Sequence, residues 1–267
     1  MTKSIAYHQG MGFIGAAVGI AVVASLAGYL GWRTALQTLT IPGLIAIALF
    51  WYVVKEGNGA ESSRAKSTVQ ETKKGEGEFK ITRPLLIIYL VSFIGAFGGG
   101  MGRFLPMFLS VEYGESVVWA GILSGIMQGV GVVSLTIGGT LADKYDKIWI
   151  ISSFRFLTGL STILLATGQF GSEILLLVLC FRGFAQYFSQ PARRAIVAII
   201  SKTSPKGIGL EFACTALGGI FGAPLTGYLI DTLGMRSAFL ILTPITFVSG
   251  ALVLLLKKWP NAYTTQN

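Results

Sequence analysis

Residues 138–147 read Gly-Gly-Thr-Leu-Ala-Asp-Lys-Tyr-Asp-Lys, a short charged turn between two long apolar stretches. Each flanking stretch has about 20 residues, the length that an α-helix needs to cross the hydrocarbon core of a bilayer. A turn with such flanks belongs where the membrane ends. This stretch therefore predicts a chain that crosses a membrane.

The composition extends this prediction to the whole chain. Of the 267 residues, 52% are hydrophobic and 12% are charged, and the mean hydropathy is +0.67. A soluble domain carries about 25% charged residues. We predict an all-α membrane protein with about eight spanning helices. These cover 9–30, 35–54, 84–108, 117–138, 148–168, 172–192, 208–230 and 237–256.

The net charge of +9 is unevenly distributed along the chain. With eight spans, the turns alternate sides, and 16 of the 21 Lys and Arg residues fall on one side. The positive-inside rule places that side in the cytoplasm, with both termini. The basic excess is therefore a signal of topology in a cell membrane, and we expect no nucleic-acid partner. The cytoplasmic set comprises the N-terminus, 55–83, 142–147, 193–206 and the tail after 256.

A polar segment and an internal repeat divide the chain. Residues 55–83 are mixed in charge and nearly free of large apolar side chains, which is typical of a linker. Two helix pairs, one before this linker and one at the end of the chain, share an order of parts that favours a duplication over chance. The aligned residues are Gly15 with Gly218, Gly19 with Gly222, Gly31 with Gly234, Arg33 with Arg236 and Ala35 with Ala238, and the second helix of each pair carries an early proline, Pro42 or Pro244.

With these features the sequence resembles the major facilitator superfamily of secondary transporters, from the fifth to the twelfth helix of that fold. The family's loop motif is Gly-x-Leu-x-Asp-Arg-x-Gly-Arg-Lys, and Asp146 and Ile148 depart from it. The matching residues are Gly139, Leu141, Asp143, Lys144 and Lys147. The resemblance implies an N-terminally truncated member. Its parts would be the last two helices of a first bundle (1–54), a cytoplasmic linker (55–83) and a complete six-helix second bundle (84–267).

The resemblance also implies a function, that of a permease that moves a small solute by alternating access and couples it to protons. Few charges are predicted inside the membrane, which weakly favours efflux of drug-like, apolar or cationic compounds. The alternative is a transport-inactive truncated paralogue or fragment that acts as an interaction subunit. In either case a second chain could supply the missing helices.

In the family, the carboxylate equivalent to Asp143 latches adjacent helices together on the cytoplasmic side. We expect Arg193 and Arg194, at the end of another span, to be its partners. The alternative is a solvated turn whose lysines serve only topology. If the latch exists, Asp143→Ala lowers transport without abolishing membrane insertion.

Arg182 lies about ten residues into its predicted span, where a charge costs roughly 2.5–3.5 kcal/mol on insertion scales. It must therefore face a cavity or a partner. Gln186, one helical turn later, shares its face, and the pair resembles the family's Arg-x-x-Gln-Gly motif with the Gln displaced by one residue. Two roles stay open for Arg182, namely contact with substrate or proton and structural bonding to neighbouring helices.

Other polar residues in the spans have less specific readings. Gln128 lies in a cavity wall or bonds across helices. Glu211 is predicted at the start of a span, where the helix N-terminus favours a carboxylate, and its other reading is a coupling site. Arg155 and Arg103 lie nearer the ends of their spans, and we expect both to snorkel to the membrane surface.

Glycine clusters interrupt two of the spans. The first, Gly98, Gly99 and Gly100, predicts either a bend or close helix packing. The second comprises Gly218, Gly222 and Pro224 and resembles a shifted antiporter motif of the family. A nucleophile–base pair, a phosphate loop and a His/Cys cluster are all missing from the sequence, so we predict no enzymatic activity, no cofactor and no metal.

Overall fold

The computed structural model describes residues 2–57 and 79–263, which fold into helices without a strand. The first pair is α1 (Thr2–Leu30) and α2 (Trp32–Gly57). The remaining helices are α3 (Arg83–Gly98), α4 (Leu105–Glu112), α5 (Val117–Lys144), α6 (Lys147–Thr167), α7 (Ser172–Phe188), α8 (Gln190–Ile200), α9 (Pro205–Leu233) and α10 (Met235–Val253). Short 3-10 segments cover Gly99–Phe104, Leu254–Lys258 and Pro260–Ala262. The prediction of an all-α protein is confirmed.

Seven stretches of the described residues are long and apolar enough to cross a membrane. They are Trp32–Val53, Arg83–Glu112, Val117–Lys144, Lys147–Thr167, Ser172–Ile200, Pro205–Leu233 and Met235–Lys258. The remaining predicted span, 9–30, lies within α1, whose shorter apolar part is Ile14–Leu30. Of the predicted linker 55–83, residues 58–78 lie outside the described residues.

The predicted end of the sixth span at residue 192 is wrong. α7 ends at Phe188, and after Ser189 the same span continues as α8 to Ile200. Arg193 is therefore inside the bundle, with only 5% of its surface exposed. A buried guanidinium is tolerated there because it is paired with a carboxylate, as described below. The turn before α9 is 201–204 rather than 193–206.

The charged turn at 138–147 is shorter than the sequence suggests. α5 continues through Lys144, and α6 begins at Lys147, so that only Tyr145 and Asp146 connect them. The Asp146 carboxylate accepts a hydrogen bond of 2.9 Å from the backbone N–H of Ile148. Asp146, which departs from the family motif, therefore caps α6 at its N-terminus.

The two ends of the part of the chain from α3 to α10 are filled by separate apolar clusters. The cluster at the end that carries the 142–147 turn includes Leu85, Ile88, Ile148, Ile151 and Ile196. The opposite cluster includes Leu105, Phe108, Leu165, Leu175 and Phe239. On α3, α6 and α7, polar residues occupy the positions between these clusters. A polar cavity therefore lies about half way along the helices.

α1 lies against α5 through small residues. A Cβ built on Gly121 would come within 2.0 Å of the Ala24 Cβ, and one on Gly125 within 2.8 Å of the Ala17 carbonyl oxygen. Such contacts allow two helix backbones to approach closely, as is common in membrane proteins. By contrast, α2 leaves most of its large apolar side chains exposed, Leu44 and Trp51 among them.

Candidate functional site

A cavity of about 350 Å³ opens between α3, α6, α7, α8 and α9. Its wall contains five arginines, together with neutral hydroxyl and amide residues and several glycines. The arginines are Arg103, Arg155, Arg182, Arg193 and Arg194. None of the residues that line it is acidic. The cavity therefore has a strongly positive lining, which the scattered positions of these arginines in the sequence did not reveal.

Arg182 is 2% exposed and is held entirely by neutral groups. Its Nε donates to Thr162 Oγ1 at 3.3 Å, and its Nη1 donates to Gln186 Oε1 at 3.1 Å. A further contact of 3.6 Å joins Nη1 to the Met127 sulfur. The structure thus brings Arg182 and Gln186 together at the cavity, but the positive charge of Arg182 has no anionic partner among the described residues.

Arg155 does not snorkel to the membrane surface as predicted. Its guanidinium instead reaches α3, where a Cβ on Gly95 would lie 2.5 Å from Arg155 Nη2. Its buried Nε has no hydrogen-bond partner in the described part of the chain. The absence of a side chain at Gly95 makes room for this guanidinium. Since the space is created on another helix, the position of Arg155 along its own helix could not predict it.

Arg103 lies at the cavity as well, which also differs from the prediction. It is part of the 3-10 segment that follows α3, and a Cβ on Gly219 of α9 would lie 2.9 Å from its Nη2. Arg103 is exposed, and it is one of the residues that line the cavity. Gly95 and Gly219 have no side chains, and they thus leave room for two arginine side chains from other elements.

Glu211 forms a buried ion pair rather than a helix-terminal contact. α9 begins at Pro205, six residues earlier, so Glu211 lies beyond the first turn and is 1% exposed. Arg193 Nη1 donates to Glu211 Oε1 at 2.5 Å and to Ser92 Oγ at 2.5 Å. Thr215 Oγ1 also donates to Glu211 Oε1, at 3.2 Å. The network ties α3, α8 and α9 together, and its members Ser92, Arg193 and Thr215 also line the cavity.

The pairing predicted for Asp143 is wrong in this conformation, because Arg193 is bonded to Glu211. Asp143 and Lys144 are exposed on the last turn of α5, and no described residue pairs with the Asp143 carboxylate. Arg194 lies over the Phe212 ring, with its guanidinium carbon 4.5 Å from the centroid. Lys147 begins α6, and Gly139 is buried in α5. The gating role of this loop stays a prediction.

Of the two readings of Gln128, the structure contains the bond across helices. The Tyr187 hydroxyl of α7 donates to Gln128 Oε1 at 3.2 Å. Gln128 does not line the arginine cavity. Its amide therefore connects α5 to α7, away from the cavity.

The glycine clusters both break a helix and allow close packing. α3 ends at Gly98, and Gly99 and Gly100 begin the 3-10 segment. A Cβ on Gly100 would lie 2.6 Å from the carbonyl carbon of Gly222, so α9 packs directly against this break. Gly218 and Gly222 contact the α3 backbone, while Pro224 lies inside α9.

The polar face of α6 offered a signal that the sequence analysis missed. Arg155, Thr158 and Thr162 follow an i, i+3, i+7 spacing, which places them on one helix face. All three line the cavity. Among the described residues, no group of three or more His, Cys, Asp or Glu side chains is placed to hold a metal ion.

Comparison with known proteins adds a family and a set of relatives. The model of the Major Facilitator Superfamily matches residues 2–201 and 156–265. "Probable nitrate transporter NarT" of Staphylococcus haemolyticus is 32% identical over 143 residues, which cover 53% of this chain and 35% of that protein. The protein of the same name in Staphylococcus epidermidis is 31% identical over 140 residues, or 52% of this chain and 34% of the relative. The match thus spans about a third of the length of these curated relatives.

Proposed function

Since the chain belongs to the major facilitator superfamily, a family of transporters and not of enzymes, we propose that it moves a small anion across the membrane by alternating access. One observation carries this proposal. Arg155 and Arg182 present guanidinium groups to a cavity in mid-bundle, and neither has an acidic partner in the described part of the chain.

Unpaired charges in such a place are costly. Removing a single charged group from water into a protein interior costs several kcal/mol unless a counter-charge offsets it. An anion in the cavity supplies this counter-charge. The guanidinium group also suits the task, because its planar array of donors binds the oxygens of oxyanions in pairs.

The charge of the cavity argues against the solute class that the sequence favoured. Apolar or cationic drug-like compounds were expected because few charges were predicted inside the membrane. Arg103 and Arg155 were counted near the surface, yet both line the cavity. A cationic solute would be repelled by such a wall, so efflux of drug-like compounds does not enter the proposal.

Nitrate is the first anion to test, since the relatives carry the name of a nitrate transporter. The test is uptake of labelled nitrate and other anions by the purified chain in proteoliposomes. We expect the unaltered chain to transport anions. Arg182→Gln should reduce this flux by at least about tenfold, because it removes one charge-assisted interaction with the anion. Arg33→Gln is the matched control, because Arg33 is an exposed arginine away from the cavity. Transport of an organic cation without any anion flux would contradict the proposal.

Proton coupling belongs to the same proposal, with Glu211 as its carrier. The charged and titratable groups around Glu211 are Arg193 and Arg194 on α8, Tyr89 on α3 and Cys214 on α9 itself. Glu211 is bonded to Arg193, which lines the same cavity, and this contact joins the carboxylate to the proposed anion site. We expect an inward proton gradient to accelerate anion uptake, and Glu211→Gln to remove this acceleration. Uptake by the unaltered chain that ignores the gradient would exclude coupling.

The inactive interaction subunit remains a second candidate because α1 and α2 have open faces. Gly15 and Gly19 of α1 have no atom within 4 Å of an added Cβ, and α2 is mostly exposed. In this candidate, 1–54 ends one bundle, 55–83 is a cytoplasmic linker, and 84–267 forms the second bundle, with both termini cytoplasmic. A folded, monodisperse chain without flux under any anion or proton gradient would favour this subunit over the transporter.

A further inference from the structure

We propose that the ligand of this cavity is a multivalent oxyanion, bound by the converging guanidinium groups of Arg103, Arg155 and Arg182. The inference rests on the proposed anion transport and deepens it. It differs from transport of a singly charged ion such as nitrate. The shared chemistry of the ligand class is a small molecule with two or more negative charges on phosphate or carboxylate oxygens.

The convergence follows from helix contacts. A Cβ on Gly218 would lie 3.0 Å from the Ala96 Cβ, so α3 and α9 cross at this level. Gly95 precedes Ala96 and contacts the Arg155 guanidinium, whereas Gly219 follows Gly218 and contacts the Arg103 guanidinium. The heads of both arginines therefore lie near a single crossing point.

Arg182 reaches the same region from α7. Its Nε donates to Thr162, which lies on the face of α6 that also carries Arg155 and Thr158. Thr158, Thr162 and Arg182 all line the cavity. Three guanidinium groups from three separate elements thus face one space, with neutral hydroxyls between them.

Charge and volume then select the ligand class. Arg103, Arg155 and Arg182 have no acidic partner among the described residues, and the carboxylate of Glu211 is hydrogen-bonded to another cavity arginine, Arg193. A monovalent anion would leave two of the three positive charges without compensation. The volume of about 350 Å³ equals roughly twelve waters at about 30 Å³ each. A four-atom ion would fill little of this space, whereas an organophosphate or a di- or tricarboxylate would fill more of it and reach more of the arginines in its wall.

Binding to the purified full chain in nanodiscs tests this inference. The probes are nitrate, inorganic phosphate, glycerol 3-phosphate, succinate and citrate, each titrated by calorimetry at one fixed ionic strength, since salt screens exposed charges. We expect at least one multivalent probe to bind at least about tenfold more tightly than nitrate, as one additional charge-assisted contact allows. Inorganic phosphate and glycerol 3-phosphate test for a phosphate ligand, and succinate and citrate test for a carboxylate ligand.

Glycine variants test the position of the site. Gly95→Ala and Gly219→Ala each place a Cβ against one guanidinium, and both should weaken the multivalent probe by about tenfold. Gly99→Ala is the matched control, because Gly99 lines the same cavity and has no atom within 4 Å of an added Cβ. Arg103→Gln adds a variant whose side chain is exposed, so that lost binding does not depend on lost folding. Thermal unfolding without ligand verifies the fold of each variant.

The outcomes separate the proposed transport of an anion from the inferred preference for a multivalent one. Nitrate binding more tightly than every multivalent probe overturns the inference and leaves anion transport intact. Unchanged affinity in Gly95→Ala, Gly219→Ala and Arg103→Gln overturns the assigned position of the site. A folded chain that binds none of the anions overturns the inference together with the proposed function.

Discussion

The helix pairs α1–α2 and α9–α10 are joined by the same turn. Gly31 has φ +81° and Gly234 has φ +83°, in the left-handed region that side chains rarely adopt. Ala35 and Ala238, each four residues after its glycine, are both buried. This shared geometry agrees with the sequence repeat, and it arises locally from a glycine at one position.

The packing around the two pairs differs. On α9, a Cβ at Gly218 would lie 2.2 Å from the Phe93 carbonyl oxygen, because the α3 backbone passes directly over it. The aligned Gly15 on α1 has no atom within 4 Å of an added Cβ. A Gly-x-x-x-Gly sequence is therefore a packing motif only where a second backbone reaches it. The repeat therefore predicts the turn, whereas the neighbouring helices determine how much each glycine contributes to packing.

The aligned arginines show the same contrast. Arg236 Nε donates to Glu112 Oε2 at 2.7 Å, and the guanidinium lies 6.0 Å from the Tyr113 ring centroid. Burial raises the pKa of Tyr113, whose hydroxyl donates to the Leu165 carbonyl at 2.8 Å. Arg33, by comparison, is exposed and lies only over the neighbouring Trp32 ring, at 5.1 Å.

The largest expected difference between the pairs concerns Gly222→Ala and Gly19→Ala. A Cβ on Gly222 would lie 2.2 Å from the Phe97 carbonyl oxygen, and overpacking against a backbone costs about 1–3 kcal/mol. Gly19 has open space, so alanine there should be neutral or stabilise the helix by up to about 1 kcal/mol. Thermal unfolding in detergent measures both variants. Equal destabilisation would mean that another helix covers Gly19 in the membrane.

A smaller effect is expected at the glycines of the turns, where the two pairs should agree. Gly31→Ala and Gly234→Ala each force a side chain into a positive-φ conformation, at a cost of about 1–2 kcal/mol. Gly12→Ala in α1 is the control, because Gly12 is in a helix with open space around it. Stability losses that differ by more than about 1 kcal/mol would contradict the idea that the turn is set locally.

The contrast also explains which parts of the molecule could be predicted from the sequence. Spans and turns depend on local composition, so seven of the eight predicted spans and the Gly31 and Gly234 turns follow from the sequence. The position of Arg182 in the middle of its span could also be predicted, because this requires only a count of residues along one helix.

The face of a helix that a charge occupies was harder to predict. Arg155 was expected at the surface, yet it enters the cavity because Gly95, on a different helix, leaves room for it. Likewise, Glu211 meets Arg193 across two helices, and nothing local to either residue indicates the other. Contacts between elements set the charge of the cavity, and with it the class of solute.

The smallest expected difference concerns the two arginines, Arg236→Gln and Arg33→Gln. The Arg236–Glu112 pair is partly exposed, with 29% and 22% of the side chains accessible, so screening limits its value to about 1 kcal/mol or less. Arg33→Gln should change stability by less than about 0.5 kcal/mol. Thermal unfolding at low and high salt separates the two, since the loss in Arg236→Gln should shrink as salt screens the pair. A loss that salt does not change would instead assign the role of Arg236 to its bonds with the carbonyl oxygens of Glu112 and Gly168, which tie the α9–α10 turn to its neighbours as the α1–α2 turn is not tied.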